Sequence, residues 1–281
     1  MGPSAIRIAG LAARLRQLGI EVIDDGDLDI RNMEEIDVGD ERARFLKEIR
    51  RDSKILAQHV SRIMAGGHFP HVLGGDHAIA IGTISGLAEH ARLRKKRLGI
   101  LWVDAHVDMN TPATSPSGNI HGMPLAAVLG LGPPELSKLS SALHRIRPRN
   151  VALVGIRSVD AGERKHLKST GVNVYTMTDI DRHGIHRIMR KAIADVTDGT
   201  DFFHVSLDLD AVDPTVAPGV GTPVKGGLDY REAHLVMESI AESQAMTSMD
   251  VVEVNPILDA HNISAEFAVE LVQSAFGKQI L

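Results

Sequence analysis

Short apolar runs alternate with longer amphipathic segments along most of the chain. The runs at residues 98–103, 151–156, 172–175 and 202–207 are largely apolar, which is typical of strands buried on both faces of a parallel sheet. Between such runs, apolar residues recur at helical spacing, most clearly in residues 41–65. Strands that alternate with helices predict a parallel sheet covered by helices on both faces, and therefore an α/β fold.

The same pattern predicts further elements along the chain. They are a helix from Ser4 to about Leu18, a short strand at residues 21–24, a strand that leads to His77 with a helix from Ala78, a helix at residues 182–196, a helix at residues 230–244 and a last strand at residues 248–254. We find no linker or break in composition, so we expect one domain that spans residues 1–281.

Composition narrows the class of protein. A hydrophobic content of 43% and a charged content of 24% are ordinary for a globular protein with a substantial core. The net charge of −5 argues against a nucleic-acid partner. The absence of cysteine excludes disulfides, thiolate metal sites and a cysteine nucleophile. No apolar run reaches membrane-spanning length and no secretory signal precedes the predicted fold, so we expect no membrane partner and a cytoplasmic location.

Polar residues with metal-binding chemistry follow the central apolar run. Asp104, His106 and Asp108 occupy alternate positions after residues 98–103, and alternate residues of an extended chain share one face. Two carboxylates and one imidazole would then converge on one point. The alternative is a loop whose polar residues simply face water, and this stretch alone does not decide between the two.

Two other strand ends favour the metal site. Asp208 and Asp210 follow another apolar run, and His77 follows a pair of glycines that permits a tight turn, with Asp76 expected to support a ligand. The carboxyl ends of parallel strands meet at one edge of the sheet, where ligands bind. Four carboxylates would repel one another without cations, and together with two imidazoles they suit a pair of divalent ions, Mn²⁺ before Zn²⁺, Co²⁺ or Fe²⁺.

A pair of divalent ions indicates hydrolysis, because it lowers the pKa of a bridging water and presents hydroxide to an electrophile. A phosphatase would need cationic side chains around the site, whereas these loops offer mainly Ser, Asn, Asp and Glu. That set suits a cationic or zwitterionic substrate. Glu253, at the end of the last strand, could receive a planar guanidinium through paired hydrogen bonds, although a structural ion pair is the alternative.

Six spaced motifs stand out along the chain: residues 74–77 (GGDH), 104–108 (DAHVD), 206–210 (SLDLD), 212–214 (VDP), 221–228 (GTPVKGGL) and 252–256 (VEVNP). Through these motifs the chain resembles the arginase (ureohydrolase) family, and the resemblance extends from Met1 to the C-terminus. The resemblance implies a three-layer α/β/α fold, two Mn²⁺ ions and hydrolysis of a guanidino compound to urea and an amine. It also implies a homo-oligomer, either a trimer or a hexamer.

The resemblance further implies roles for individual residues. One ion would be held by His77, Asp104, Asp108 and Asp208, and the other by Asp104, His106, Asp208 and Asp210. Asp108 would pass a proton to the leaving amine, His121 would relay protons with solvent, and Glu253 would bind the guanidinium.

Within the family, residues 117–122 and 157–163 resemble the arginases, which convert L-arginine to L-ornithine and urea through a metal-bridging hydroxide. Asn110, Ser117 and Asn119 would then bind the α-carboxylate, Asp160 and, through water, Glu163 would bind the α-ammonium, and Thr222 would also contact substrate.

Two alternatives remain at this stage. One is another ureohydrolase, namely an agmatinase, a guanidinobutyrase or a formimidoylglutamase, and the other is a catalytically silent metal-binding homologue. The chain departs from the family at Ala78, where Ser is usual, and at Val107, whose side chain we expect to point away from the metals.

Two expectations concern other parts of the molecule. Arginases that resemble this chain begin with one more strand, which lies inside the sheet, and we expect that strand to be missing here. Residues 21–23 would then be cut off from the sheet, and the 281-residue form would be poorly stable.

Histidines outside the motifs, such as His183 and His186, are expected to lie at the surface.

Overall fold

Six parallel strands form one sheet in the computed structural model, which describes residues 1–31 and 35–278. The order across the sheet is β1-β6-β5-β2-β3-β4, and every neighbouring pair is parallel. The strands are β1 (His71–Leu73), β2 (Leu98–Val103), β3 (Val151–Ile156), β4 (Asn173–Thr176), β5 (Phe202–Asp208) and β6 (Ser248–Val252). The α/β prediction with a mostly parallel sheet is confirmed.

Helices cover both faces of this sheet. They are α1 (Gly2–Ile8), α2 (Leu11–Gln17), α3 (Leu46–Ala65), α4 (Ile79–Leu93), α5 (Pro124–Val128), α6 (Pro134–Ser137), α7 (Ala161–Thr170), α8 (Met177–His183), α9 (Ile185–Thr197), α10 (Tyr230–Ser243) and α11 (Ile263–Ala275). In β2, Ile100 and Trp102 pack into one core with α3, α4 and α5, whereas Leu101 and Val103 pack into the other with α1, α2 and α8 to α11. The alternation of side chains along each strand therefore builds two cores.

Two predicted helices are each divided in the structure. Residues 4–18 form α1 and α2 rather than one helix, because Gly10 has a φ of 86°, and residues 182–196 are split between α8 and α9, because Gly184 has a φ of 78°. A residue with positive φ cannot continue a right-handed helix, and glycine adopts this conformation at little cost. The prediction of single helices was wrong at both places.

The strand predicted at residues 21–24 is also wrong, since this segment is irregular. Arg7 of α1 holds it by an ion pair with Asp24, with 2.9 Å between Nε and Oδ2. Ile23 is 70% exposed, so its apolar side chain does not pack against the sheet. Among residues 1–31 and 35–278, no strand pairs with the edge of β1 that faces away from β6.

Not every histidine outside the motifs lies at the surface, which corrects another expectation. His90 and His234 are buried. The His90 ring packs edge to face against Phe202, and His234 packs against Phe267 while its Nδ1 lies 2.9 Å from Ser274 Oγ. An imidazole contributes apolar surface to a core when a ring nitrogen finds a hydrogen-bond partner.

The carboxyl ends of β1, β6, β5 and β2 lie side by side. Strands β5 and β2 are neighbours, but β6 lies on the far side of β5 and β3 lies on the far side of β2, so the strand order reverses between them. Open parallel sheets bind ligands at such a switch point. Within residues 1–31 and 35–278, no helix is long and apolar enough to cross a membrane.

Candidate metal centre and active site

Asp104 lies at the middle of the candidate metal centre, immediately after β2. Trp102 Nε1 donates a hydrogen bond of 2.9 Å to its Oδ2, and the backbone N–H of His106 donates one of 2.6 Å to its Oδ1. Val107 packs in the core below, as its position in the alternation predicted. Asp108 has a φ of 54°, a left-handed conformation that costs energy in a non-glycine residue and is concentrated at functional sites.

The end of β5 contributes the next two carboxylates. A single turn of 3₁₀-helix follows Asp208, whose Oδ1 accepts from the N–H of Asp210 at 2.7 Å. Asp210 Oδ1 accepts from the N–H of Ala105 at 3.1 Å, so the two strand ends hold each other in place. The Arg157 guanidinium donates to the carbonyls of Asp210 and Val224, each at 2.7 Å, and so fixes the loop on which Asp210 lies.

All six predicted ligands come together at this edge. His77 Nδ1 lies 3.1 Å from a carboxylate oxygen of each of Asp104, Asp108 and Asp208. His106 Nδ1 lies 2.9 Å from Asp210 Oδ2 and 3.6 Å from Asp104 Oδ1. Two groups therefore have ligand atoms within 4.8 Å of one another, namely His77, Asp104 and Asp208, and Asp104, His106 and Asp210. Asp104 belongs to both groups.

Burial and the closeness of several charges shift the pKa values of the side chains in this cluster. Burial, together with the Asp104 charge, raises the pKa of Asp108 to about 7, and burial with the Asp210 charge raises the pKa of Asp208 well above its ordinary value. Burial acts to lower the pKa of His106, but hydrogen bonds to Asp104 and Asp210 raise it to about 11. Divalent cations would relieve the repulsion between these carboxylates, and oxygen ligands with imidazole suit Mn²⁺.

Glu253 and His121 lie together beside His77. Glu253 has a φ of 66°, and its Oε1 accepts a 2.9 Å hydrogen bond from the backbone N–H of His77. The same oxygen lies 3.2 Å from His121 Nδ1, and this hydrogen bond raises the pKa of His121 to about 9 against the effect of burial. The His121 side chain is 27% exposed, so it connects the buried Glu253 with solvent.

Three of the predicted substrate residues form one cluster at the start of α7. Asn110 Nδ2 donates to Asp160 Oδ2 at 2.7 Å. Asp160 and Glu163 form a capping box, in which Asp160 Oδ1 accepts from the N–H of Glu163 and Glu163 Oε2 accepts from the N–H of Asp160. Glu163 is buried and also accepts from the N–H of Met109. Each oxygen of its carboxylate therefore accepts one backbone N–H.

Other predicted residues have different surroundings. Ser117 is exposed, and its Oγ accepts from the N–H of Asn119 at 3.2 Å. Thr222 Oγ1 donates to Asp210 Oδ2 at 3.0 Å, so it contacts a candidate ligand directly. Asp76 accepts a hydrogen bond from the N–H of Ala78 at 3.1 Å, and its support of a ligand stays a prediction.

Sequence reasoning missed two residues that hold the candidate ligands. The Trp102 indole stacks on the His77 ring with centroids 4.0 Å apart, in addition to its bond to Asp104. Ser206 Oγ lies 2.8 Å from His77 Nε2. Trp102 lies inside an apolar run, where nothing in the pattern marks a polar contact, whereas Ser206 is a polar residue within such a run and could have been noticed on that ground.

A parallel sheet between two layers of helices, with four carboxylates and two imidazoles at its carboxyl edge, defines the class: an α/β/α protein with a candidate dinuclear metal site. The sequence profile of the family described as "Arginase family" matches residues 1–277. The chain belongs to the arginase family, and it is therefore an enzyme of that hydrolase family.

Individual relatives agree with this assignment. The chain is 50% identical to a protein named arginase from Bacillus caldovelox, over 100% of this chain and 93% of the relative. It is also 50% identical to the arginase of Bacillus subtilis (strain 168), with the same coverage. The native structure of the B. caldovelox arginase at pH 5.6 superposes with a TM-score of 0.95 at 50% identity, over 100% of this chain and 93% of that one.

Proposed function

We propose that the protein is a binuclear manganese hydrolase that converts L-arginine to L-ornithine and urea. The observation that carries the proposal is the pair of ligand groups that share Asp104, with Glu253 held beside them by the N–H of His77. Relatives named arginase at 50% identity over the whole chain support arginine as the substrate.

In this proposal one Mn²⁺ is held by His77, Asp104, Asp108 and Asp208, and the other by Asp104, His106, Asp208 and Asp210. The distances of 3.1 Å around His77 Nδ1 support the first set, and the position of His106 between Asp104 and Asp210 supports the second. When bound, two such ions would lower the pKa of a water molecule and so supply a nucleophile at neutral pH.

Glu253 orients the guanidinium, because a carboxylate can accept two parallel hydrogen bonds from that planar cation. Asp108 takes the proton that the attacking water gives up and passes it to the leaving amine, so the proton that leaves the nucleophile ends on the product. His121 relays protons between the site and solvent, a role that its partial exposure supports.

The amino-acid end of the substrate is bound farther out along the same edge. Asn110, Ser117 and Asn119 donate to the α-carboxylate, and Asp160 receives the α-ammonium. Glu163 fixes Asp160 through the capping box, and the acceptor sites that remain on its carboxylate receive the α-ammonium through water. Thr222 contributes by steadying Asp210 as well as by any substrate contact.

The proposal extends to the setting of the enzyme. By resemblance to the bacterial arginases, we propose that residues 1–281 form a single domain, that the enzyme is cytoplasmic and that it assembles as a homo-oligomer, either a trimer or a hexamer.

The test is release of urea by Mn²⁺-loaded protein from arginine, agmatine and guanidinobutyrate, and of formamide from formimidoylglutamate. We expect kcat/KM to be highest for arginine, because agmatine lacks the carboxylate that Asn110 and its neighbours bind. A higher value for agmatine would favour an agmatinase and contradict the assignment of the carboxylate site. A protein that binds Mn²⁺ but turns over none of these compounds would be the silent homologue.

A further inference from the structure

A ladder of four polar side chains connects β5 and β6 behind the candidate metal centre. Its members are His204, Ser206, Ser248 and Asp250, which are all at 0% exposure. The register places His204 opposite Ser248 and Ser206 opposite Asp250. Burial of a polar side chain costs free energy unless the side chain forms hydrogen bonds. The hydrogen bonds among these four residues therefore indicate what the ladder does.

The direction of each hydrogen bond is fixed by Asp250, because an ionised carboxylate only accepts. Ser206 Oγ donates to Asp250 Oδ1 at 2.6 Å, which uses the one hydrogen of that hydroxyl. Toward His77 Nε2, 2.8 Å away, Ser206 Oγ can therefore only accept. His77 must carry a hydrogen on Nε2, and its Nδ1 is the atom that faces Asp104, Asp108 and Asp208.

His204 supports Asp250 from the other side. Its Nε2 lies 3.2 Å from Asp250 Oδ2, and its Nδ1 lies 3.1 Å from Ser248 Oγ. Burial acts to raise the pKa of Asp250, but the charge and hydrogen bond of His204, with further help from His77 and Ser206, hold that pKa below its ordinary value. Asp250 thus remains an acceptor for Ser206.

We propose that Asp250 is a positioning residue for the metal ligand His77: acting through Ser206, it fixes the tautomer and the ring orientation that leave Nδ1 free to bind an ion. The inference rests on the proposed metal-dependent function and deepens it. A metal-binding imidazole commonly has its other nitrogen oriented by a carboxylate or a carbonyl. Here the carboxylate acts across one intervening hydroxyl, from a neighbouring strand.

The experiment measures Mn²⁺ affinity and stoichiometry on metal-stripped protein, by calorimetry and by the electron paramagnetic resonance of free Mn²⁺. The variants are Asp250→Asn and Ser206→Ala, with Ser239→Ala as the control, because Ser239 is also buried but lies on α10 outside the ladder, where its Oγ donates to the carbonyl of Leu235. We expect the first two variants to weaken one of the two ions by roughly 10- to 100-fold, as loss of an outer partner typically does. The control should remain close to wild type.

Thermal unfolding of the metal-free proteins separates positioning from simple support of the sheet. A purely structural ladder lowers the Tm of metal-free Asp250→Asn without changing its Mn²⁺ affinity, and that result overturns the inference. If Asp250→Asn does not fold, Ser206→Ala decides alone, since it cuts the link to His77 and leaves the pair of Asp250 and His204 intact. A wild type that binds no Mn²⁺ overturns the proposed function and this inference together, whereas Mn²⁺ binding that is unchanged in both variants overturns the inference alone.

Discussion

Asp104 is the residue on which both halves of the candidate metal centre depend. Its carboxylate belongs to both ligand groups, and Trp102 and the N–H of His106 each hold one of its oxygens. A ligand that is already oriented does not have to be ordered when an ion binds. Two hydrogen bonds to one buried carboxylate therefore orient Asp104 as a ligand that belongs to both candidate groups.

Glu253 and Asp210 have separable roles in the proposed enzyme. Asp210→Ala removes a ligand, so its Mn²⁺ content should fall toward one ion per chain. Glu253→Gln keeps an oxygen that can accept from the N–H of His77, so its Mn²⁺ content should stay at two. Its turnover should fall by roughly 100-fold, because the charged acceptor for the guanidinium is lost. Elemental analysis and urea release measure both quantities, and equal metal loss in the two variants would contradict the substrate role of Glu253.

The sequence predicts the ligands at the residue scale but not the residues that orient them. Asp104, His106 and Asp108 stand out because polar residues at alternate positions end an apolar run. Trp102 and Ser206 stand inside such runs, and the contacts they make depend on the register that places Trp102 opposite Ser206. Register follows from pairing between distant strands, which one sequence does not specify.

At the scale of elements, α7 depends on Asp160 for its first turn. Asp160→Ala removes the side chain that accepts from the N–H of Glu163, which should cost about 1 kcal/mol and lower the Tm by roughly 2–4 °C. Asp160→Asn retains a capping oxygen and should melt near wild type. If Asp160 also binds the α-ammonium, both variants should raise KM for arginine. A wild-type KM in Asp160→Asn would contradict the substrate role, and an unchanged Tm in Asp160→Ala would contradict the capping role.

Strand β1 contains a histidine that should make stability depend on acidity. His71 Nε2 is buried and finds no hydrogen-bond partner among residues 1–31 and 35–278. Burial lowers the pKa of His71 to about 4 against the attraction of Asp250. Between pH 6.5 and 4 the unfolded chain binds a proton that the folded chain does not, so stability falls as the pH falls. This loss of folding stability reaches about 3 kcal/mol at pH 4.

His71→Phe removes that titration while keeping a ring beside Phe276. Denaturant unfolding at several pH values should show that the variant loses less stability than wild type between pH 6.5 and 4. His68→Asn, an exposed position nearby, is the control. Identical acid dependence in wild type and His71→Phe would refute the assignment.

Helix existence is easier to predict than helix continuity. The apolar spacing in residues 4–18 and 182–196 is helical on both sides of Gly10 and Gly184, so the pattern gives no sign of a break. Glycine is tolerated inside helices, and the positive φ of Gly10 and of Gly184 is what divides these segments.

The whole molecule brings together residues that are far apart in the chain. His77 follows β1, Glu253 follows β6, and these two strands are neighbours although they lie near opposite ends of the element order. The sequence predicts that ligands meet at the carboxyl edge, because that holds for open parallel sheets in general. It does not predict that a strand of three residues pairs with the last strand of the sheet.

Because the candidate ligands come from the ends of β1, β2 and β5, bound Mn²⁺ should stabilise the sheet as a whole. Metal-free protein must keep four mutually repelling carboxylates buried, whereas an ion that binds only the folded state adds about 2.7 kcal/mol at a concentration 100 times its Kd. For a chain of this size, one such site should raise the Tm by roughly 5–10 °C. Calorimetric scans of stripped protein, reloaded protein and Asp210→Ala measure the effect, and the variant should gain less than wild type. Equal melting temperatures with and without Mn²⁺ would show that these carboxylates do not form a metal site in the folded protein.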